Sequence, residues 1–151
     1  MPVTNDLSVR ALECSDRRGW VRLFEAYQTD QGIRVARADR AALFTAACDA
    51  SKPAGCLISF YEGRLVAFLH YDLKPIGNKD ESLIIVQDFF IHPDHRNKQI
   101  GARLLRELHA MGVALKAPTV LWPAAENLLR GRKLADPDAV TRPYHQLEKA
   151  A

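Results

Sequence analysis

The spacing of apolar side chains predicts two helices near the start of the chain, after a short strand. Residues 7–12 alternate weakly between apolar and polar side chains, as a half-buried strand does. Ser15 or Asp16 then offers an N-cap, and apolar residues follow at intervals of three or four. The predicted core of this first helix is Trp20, Leu23, Phe24 and Tyr27. A second helix is expected over residues 38–50, with its buried side made by Ala41, Phe44 and Cys48.

Three β-rich runs occupy the middle of the chain. Residues 56–61 and 64–71 are joined by Glu62-Gly63, a spacing that predicts a tight antiparallel hairpin. Residues 74–81 contain Pro75, Gly77 and several charges, so an exposed loop is expected there. Residues 82–91 form the longest strand candidate, and the apolar run over 83–86 predicts burial on both faces.

The last third of the chain returns to a helical period. From Ile100 onward one stripe is apolar, formed by Leu104, Leu108, Met111 and Leu115. A short strand is predicted over 119–122, a helix over 124–134, and an edge strand over 141–147 because Pro143 interrupts it. This order of elements predicts an α/β layered fold, and 151 residues suit a single domain spanning 1–151.

Composition narrows the class of protein. With 48% hydrophobic and 26% charged residues, the chain has the balance of an ordinary globular protein. The sequence shows neither an apolar run of about 20 residues nor a secretory signal, so we expect a cytoplasmic protein without membrane contact. A net charge of +3 is too weak and too dispersed to favour nucleic acid as a partner. The cysteines, Cys14, Cys48 and Cys56, have no metal-binding or dithiol spacing and are expected to be small buried residues.

The segment between the long strand and the next helix carries the candidate chemistry. A turn at this place leaves backbone N–H groups unpaired at a helix start, where the helix dipole favours an anion. Gly101 lets a phosphate approach the backbone, and Arg96 and Lys98 add positive charge. The turn therefore predicts a ligand that bears phosphate. A plain basic helix start is the alternative interpretation.

This stretch resembles the pyrophosphate-binding motif of the GNAT acetyltransferases, in which Arg or Gln is followed by two residues, Gly, one residue, and Gly or Ala. Arg96, Ile100, Gly101 and the pair Leu104-Leu105 match the motif, whereas Gln99 stands where the family has its first glycine. Backbone N–H groups do not depend on the side chain, so the anion site should survive if Gln99 keeps an ordinary negative φ. The resemblance implies a GNAT fold, with a mixed sheet and helices on both faces, and acetyl-CoA as co-substrate. The cofactor-binding residues that it implies here are Arg96, Asn97, Lys98, Gln99, Ile100, Gly101 and Ala102.

Residues 87–93 are similar to the family strand that precedes this motif. In the family that strand separates from the next one, so backbone groups of Phe89, Phe90 and Ile91 should pair with the pantetheine arm and polarise the thioester carbonyl. The acidic residue before two large apolar ones resembles diamine and related small-amine acetyltransferases, which implies that Asp88 contacts the substrate ammonium. The alternative is a strand carboxylate paired with a neighbouring lysine or arginine.

The resemblance weakens towards the C-terminus. Asn127 matches an asparagine that faces the cofactor, but Leu134 stands near a position where the family commonly has a tyrosine that protonates the leaving thiolate. Tyr144 is the candidate replacement for that acid.

Two functions are therefore predicted. The first is an N-acetyltransferase that moves an acetyl group to a primary amine of a small molecule or peptide by direct attack, without a metal. The second is a non-catalytic acyl-CoA-binding or regulatory module, suggested by Gln99 and Leu134.

His92 and His95 lack a third metal ligand at suitable spacing and are expected to be loop histidines, and His70 is expected to be a satisfied core or cleft residue. Proteins of the family commonly dimerise, so a homodimer is also expected.

Overall fold

The computed structural model describes residues 6–77, 80–96, 98–117 and 119–121, and the backbone of 146–149. Its helices are α1 (Arg17–Gln31), α2 (Arg37–Cys48) and α3 (Ile100–Ala114). Its strands are β1 (Leu7–Ala11), β2 (Ala54–Tyr61), β3 (Arg64–Pro75), β4 (Ser82–Ile91), β5 (Thr119–Leu121) and β6 (Gln146–Lys149). This order confirms the predicted α/β class. Among the described residues, no helix is both long enough and apolar enough to cross a membrane.

The strands form one sheet in the order β1-β2-β3-β4-β5-β6. Neighbouring strands are antiparallel except β4 and β5, which are parallel and are connected through α3. The sheet is therefore mixed, as the resemblance implies. The described part of β5 pairs only with Leu83, Ile84 and Ile85, in the first half of β4. The second half of β4 leads into the turn that precedes α3.

Helices cover both faces of this sheet, because alternate strand residues feed two separate cores. One core joins α1 and α2 to the sheet through Trp20, Phe24, Phe44, Phe68 and Phe90. The other core joins α3 to the opposite face, and its members include Leu69, Ile84, Phe89, Leu104 and Leu108. The resulting three layers place the end of β4 between α1 and the start of α3.

The first helix begins after Asp16, one of the two predicted N-caps. The Asp16 carboxylate does not cap α1, because it pairs with Arg10 at 2.8 Å and accepts the Glu13 amide at 2.7 Å. The predicted apolar face is confirmed, since Trp20, Leu23, Phe24 and Tyr27 are all buried. Gly32 ends the helix in a left-handed conformation with a φ of 66°.

The predicted hairpin is also confirmed. Glu62 and Gly63 both have positive φ, 51° and 80°, as a two-residue turn between twisted strands requires. The predicted loop over 74–81 is partly wrong, because β3 continues to Pro75, which lies opposite Ser82. Cross-strand packing extends the hairpin past residues that locally favour a turn.

The predicted burial of β4 on both faces is wrong in its first half. Ile84 and Val86 are buried, whereas Leu83 and Ile85 are only partly covered. The α1–α2 layer therefore leaves this end of the sheet partly open. In the C-terminal part, β5 covers 119–121 of the predicted strand 119–122, and β6 covers 146–147 of the predicted strand 141–147. Residues 122 and 141–145 lie outside the described residues. The predicted helix over 124–134 lies outside the described residues.

Candidate active site

The turn between β4 and α3 presents backbone donors at the start of the helix. It begins with a short 3₁₀ turn, Pro93–His95, in which the Asp94 amide donates to His92 Nδ1 at 3.2 Å. The Arg103 amide donates to the Gln99 carbonyl at 3.2 Å and is the first to find an acceptor one turn back. The amides of Ile100, Gly101 and Ala102 precede it and have no acceptor inside the helix. Together with the helix dipole, this set of donors fits a diphosphate.

Gln99 does not keep the negative φ on which the sequence argument depended. Its φ is 60° and its ψ is 22°, a left-handed conformation immediately before α3. The chain reverses here so that Ile100 and Gly101 enter the core, and both are buried. The Gln99 side chain is exposed, so it does not fill the helix start. This backbone shape suits glycine, which explains why a glycine stands at this position in the family that the motif resembles.

Arg96 ties the turn to two other elements. Its Nε donates to the Ile91 carbonyl at 2.9 Å, and its guanidinium lies 3.3 Å from Asp30 at the end of α1. The guanidinium carbon also lies 5.7 Å from the centre of the Phe90 ring. Arg96 therefore brings positive charge to the turn while holding it against β4 and α1. Lys98 adds a second charge, with Nζ 5.3 Å from the centre of the Tyr61 ring.

The end of β4 directs backbone groups towards the side away from β3. The His92 amide donates to the Val66 carbonyl of β3 at 2.8 Å. Because backbone groups alternate in direction along a strand, the Ile91 amide and carbonyl point to the opposite edge. The Ile91 carbonyl is the one that accepts from Arg96, which agrees with this direction. Phe89, Phe90 and Ile91 are themselves buried, with Phe90 facing α1 and the other two facing α3.

Asp88 lies at a β-bulge in β4. In the pairing of β3 with β4, His70 lies opposite Asp88 and the next residue, Tyr71, lies opposite Val86. Gln87 is therefore the extra residue of β4 that forms the bulge. The bulge places Asp88 on the α1 side, where the Tyr27 hydroxyl donates to Oδ1 at 2.8 Å. Among the described residues, Asp88 forms no ion pair with a lysine or arginine, in contrast to the alternative drawn from the sequence.

Burial governs the electrostatics of this carboxylate. Loss of solvent raises the pKa of Asp88, the hydrogen bond from Tyr27 opposes the rise, and the nearby charge of Asp72 adds to it. Next to Asp88, His70 is buried and accepts a hydrogen bond from Trp20 Nε1 at 3.0 Å. Burial lowers the pKa of His70 to about 3, so its ring is neutral. His70 is thus a satisfied core histidine, as expected.

The structure brings together Asp88, the end of β4 and the turn, and it adds Asp30, which sequence reasoning missed, and Tyr27, which the sequence favours as a core residue over a residue of the substrate cleft. Tyr27 has the spacing of a core residue, and its hydroxyl contact with Asp88 depends on the bulge. No sequence pattern around Asp30 indicates that it contacts the turn. Asn97, Asn127 and Tyr144, all expected in the site, lie outside the described residues.

No metal centre is evident in the part of the chain that the structure describes, because no three of its His, Cys, Asp or Glu residues are grouped suitably. The ring centres of His92 and His95 are 6.0 Å apart. The His92 Nδ1 atom instead accepts a hydrogen bond from the Asp94 amide.

A three-layer α/β fold with a donor-rich turn after its central strand is the architecture of a protein suited to a diphosphate-bearing ligand. The match to the acetyltransferase (GNAT) family covers residues 20–131, so the chain belongs to this family and is an acetyltransferase. Enzymes of this family use acetyl-CoA as the acetyl donor. A comparison with curated proteins finds no significant match.

Solved structures agree with the fold. An aminoglycoside acetyltransferase, meta-AAC0020, from an uncultured soil metagenomic sample and in complex with sisomicin has a TM-score of 0.70 at 14% identity, over 97% of this chain and 100% of that one. A ribosomal-protein-alanine N-acetyltransferase from Brucella melitensis has a TM-score of 0.64 at 19% identity, over 77% and 78%. AAC(6')-Iy in complex with a bisubstrate analogue of CoA has a TM-score of 0.65 at 11% identity, over 86% and 92%. At these identities the likeness establishes the GNAT fold.

Proposed function

We propose that this acetyltransferase transfers the acetyl group of acetyl-CoA to a primary amine of a small molecule or peptide by direct attack. The observation that carries the proposal is the position of Asp88, a largely buried carboxylate at the bulge of β4. It lies three residues before Ile91, whose backbone points to the edge of β4 away from β3, where the described part of β5 does not pair. A cation bound at Asp88 would therefore lie beside that edge.

The chemistry of a buried carboxylate suits an amine acceptor. Its negative charge attracts an ammonium group, and partial burial strengthens this attraction. Direct attack requires a neutral amine, so a proton must leave before or during the reaction. Because burial raises the pKa of Asp88, this carboxylate accepts a proton more readily than an exposed one. Asp88 is thus proposed to orient the amine and to take part in its deprotonation.

The residues around the turn would hold the co-substrate, which supplies the activated acetyl group. The helix-start amides of Ile100, Gly101 and Ala102 would bind the diphosphate, with positive charge from Arg96 and Lys98. The Ile91 amide, which points away from β3, would donate to the acetyl oxygen as negative charge develops there, and such a fixed donor would lower the barrier. Proximity of the two reactants supplies most of the remaining acceleration.

Several parts of the proposal rest on the sequence alone. They are the contact of Asn97 and Asn127 with the co-substrate, the protonation of the leaving thiolate by Tyr144 or by water, and an acceptor of the diamine or small-amine type. A homodimer and a cytoplasmic location are likewise predictions from the sequence.

The test is a thiol-release assay with acetyl-CoA and a panel of polyamines, amino acids and lysine analogues. For the best acceptor, Asp88→Asn should lower kcat/KM by roughly 10²-fold or more, the range for loss of a positioned acid–base group. Asp39→Asn removes an exposed carboxylate on α2 and serves as the matched control. If both variants kept the parent kcat/KM, or if no amine released thiol above the hydrolysis rate, the proposal would fail.

A further inference from the structure

A cleft that Asp88 does not line opens on the α1 side of the sheet. It has a volume of about 540 Å³ and lies between α1, the β2–β3 hairpin and the residues that follow β4. Volumes of roughly 300 to 1,000 Å³ are typical of small-molecule sites. Among the described residues, neither Asp88 nor Arg96 nor any residue of 98–101 lines it. The cleft adjoins the β4–α3 turn through His92, Asp94 and His95, but it includes neither Asp88 nor the helix-start amides assigned to acetyl transfer.

The rim of this cleft is strongly basic. Arg18, Arg22 and Arg64 line it, and all three are exposed. None of their guanidinium groups forms an ion pair with a described residue. Arg18 and Arg22 are four residues apart on α1, a spacing at which like charges destabilise a helix. An anion bound between them would remove that repulsion.

His95 also lines the cleft, and its pKa is affected by the positive charges around it. Burial lowers its pKa, and repulsion by His92, Lys98 and Arg64 lowers it further, against an opposing effect of Asp94. The Nδ1 atom of His95 is buried and has no hydrogen-bond partner among the described residues. Asp94 is the carboxylate at the rim, and it lies 3.7 Å from His92 Nδ1.

The floor of the cleft is apolar. It is formed by Leu23, Ala26, Phe60 and Leu65. Gly19 lets α1 approach the hairpin closely, since a Cβ there would lie 3.3 Å from Cδ2 of Leu65. A ligand suited to this cleft would combine an acidic group for the rim with an apolar body for the floor.

We propose that this cleft is a binding site for an organic anion, a phosphate or carboxylate on an apolar body. Arg18, Arg22 and Arg64 would grip the acidic group through charge-assisted hydrogen bonds, which guanidinium groups form with either anion. Leu23 and Phe60 would cover the apolar body. The ligand would be distinct from the acetyl donor, and the proposal does not depend on the identity of the acceptor amine.

The experiment follows amide and histidine side-chain signals by NMR during titration with phenyl phosphate, benzoate or inorganic phosphate. Comparing the affinities of phenyl phosphate and benzoate shows whether the cleft prefers a phosphate or a carboxylate. Comparing phenyl phosphate with inorganic phosphate shows how much the apolar floor contributes to binding. Arg22→Gln and Arg64→Gln should each weaken the preferred organic anion by about tenfold, as expected when a charge-assisted hydrogen bond is lost. Arg106→Gln, at an exposed arginine on α3, is the matched control and should bind like the parent.

Three results would overturn the proposal. The first is unchanged affinity in both Arg22→Gln and Arg64→Gln while their thermal unfolding remains normal. The second is inorganic phosphate binding as tightly as phenyl phosphate, which would leave the apolar floor without a role. The third is weaker binding of CoA but not of dephospho-CoA in the two variants, because the cleft would then hold the 3′-phosphate of the co-substrate.

Discussion

The Asp88 carboxylate shows how one side-chain contact opposes the effect of burial on a pKa. Burial favours its protonated form, and the Tyr27 hydroxyl favours the ionised form by donating to Oδ1. The balance between these two effects decides at which pH the carboxylate can attract an ammonium group. Activity should therefore decline on the acid side as Asp88 becomes protonated.

Replacing Tyr27 with phenylalanine removes the hydroxyl that stabilises the ionised carboxylate. The pKa of Asp88 should then rise further, and the acid limb of the kcat/KM profile should move to higher pH. The profile is measured with saturating acetyl-CoA and the best amine. Tyr61→Phe is the control, since Tyr61 packs near Lys98 and not near Asp88. An acid limb that stayed in place in Tyr27→Phe would contradict the assignment of Asp88.

Gln99 carries a conformational cost because an L-residue with a side chain adopts the left-handed region. Replacement by glycine should stabilise the protein by about 1 kcal/mol, since this conformation costs roughly that amount. Urea unfolding measures the change. The same replacement at Arg106, exposed in the middle of α3, should instead destabilise by about 1 kcal/mol. A Gln99→Gly variant less stable than the parent would show that the side chain has a role beyond the backbone shape.

At the residue scale, the sequence predicts a candidate role for Asp88 and for the turn, but it does not predict their local backbone conformations. The role of Asp88 is a prediction from the resemblance to small-amine acetyltransferases, in which an acidic residue precedes two large apolar ones. The bulge that turns it towards Tyr27 arises from pairing between β3 and β4, which no local pattern records. The positive φ of Gln99 follows in the same way from the burial of Ile100 and Gly101 after it.

Among the elements, α1 is joined to β3 by a polar contact inside an otherwise apolar core. Trp20 donates to His70, and both residues are buried among aromatic rings. In the folded protein His70 is neutral with a pKa of about 3, whereas an unfolded histidine titrates near 6.5. Between these values only the unfolded chain binds the proton. Stability contributed by neutral His70 is thus complete above about pH 6.5 and is lost as the pH falls.

His70→Gln should flatten this acid dependence. The glutamine carbonyl can accept the Trp20 hydrogen bond and does not titrate. The free energy of unfolding, measured in urea from pH 7 to pH 4, should lose a slope of up to about 1.4 kcal/mol per pH unit. Trp20→Phe removes the donor but keeps the titrating ring, so it should be less stable yet keep the slope. Equal slopes in the parent and His70→Gln would refute the burial of a neutral histidine.

Elements with a strong period were predicted well, and those decided by pairing were not. The bounds of β4 match the predicted 82–91, and α3 begins at the predicted Ile100. The extension of β3 to Pro75 was missed because Pro75 and Gly77 favour a turn locally. Its pairing with Ser82 overrides that preference.

For the whole molecule, the second half of β4 is the part of the sheet on which the proposed function depends. It lies between two cores, with α1 on one side and α3 on the other. Arg96 spans this region by contacting the Ile91 carbonyl and Asp30. The fold was predictable from the alternation of elements, but this long-range contact between α1 and the turn was not. It joins residues 66 positions apart that share no motif.

The Asp30–Arg96 pair should position the turn for the acetyl donor. Asp30→Asn removes the charge but keeps the size of the side chain, so the turn should be less firmly held. KM for acetyl-CoA should rise by about two- to fivefold, the range for a partly exposed ion pair, with little change in kcat. Glu25→Gln breaks the other ion pair of α1, with Arg40 at 3.5 Å, and is the matched control. If KM instead fell in Asp30→Asn, Asp30 would be competing with the diphosphate for Arg96, and the positioning role would be refuted.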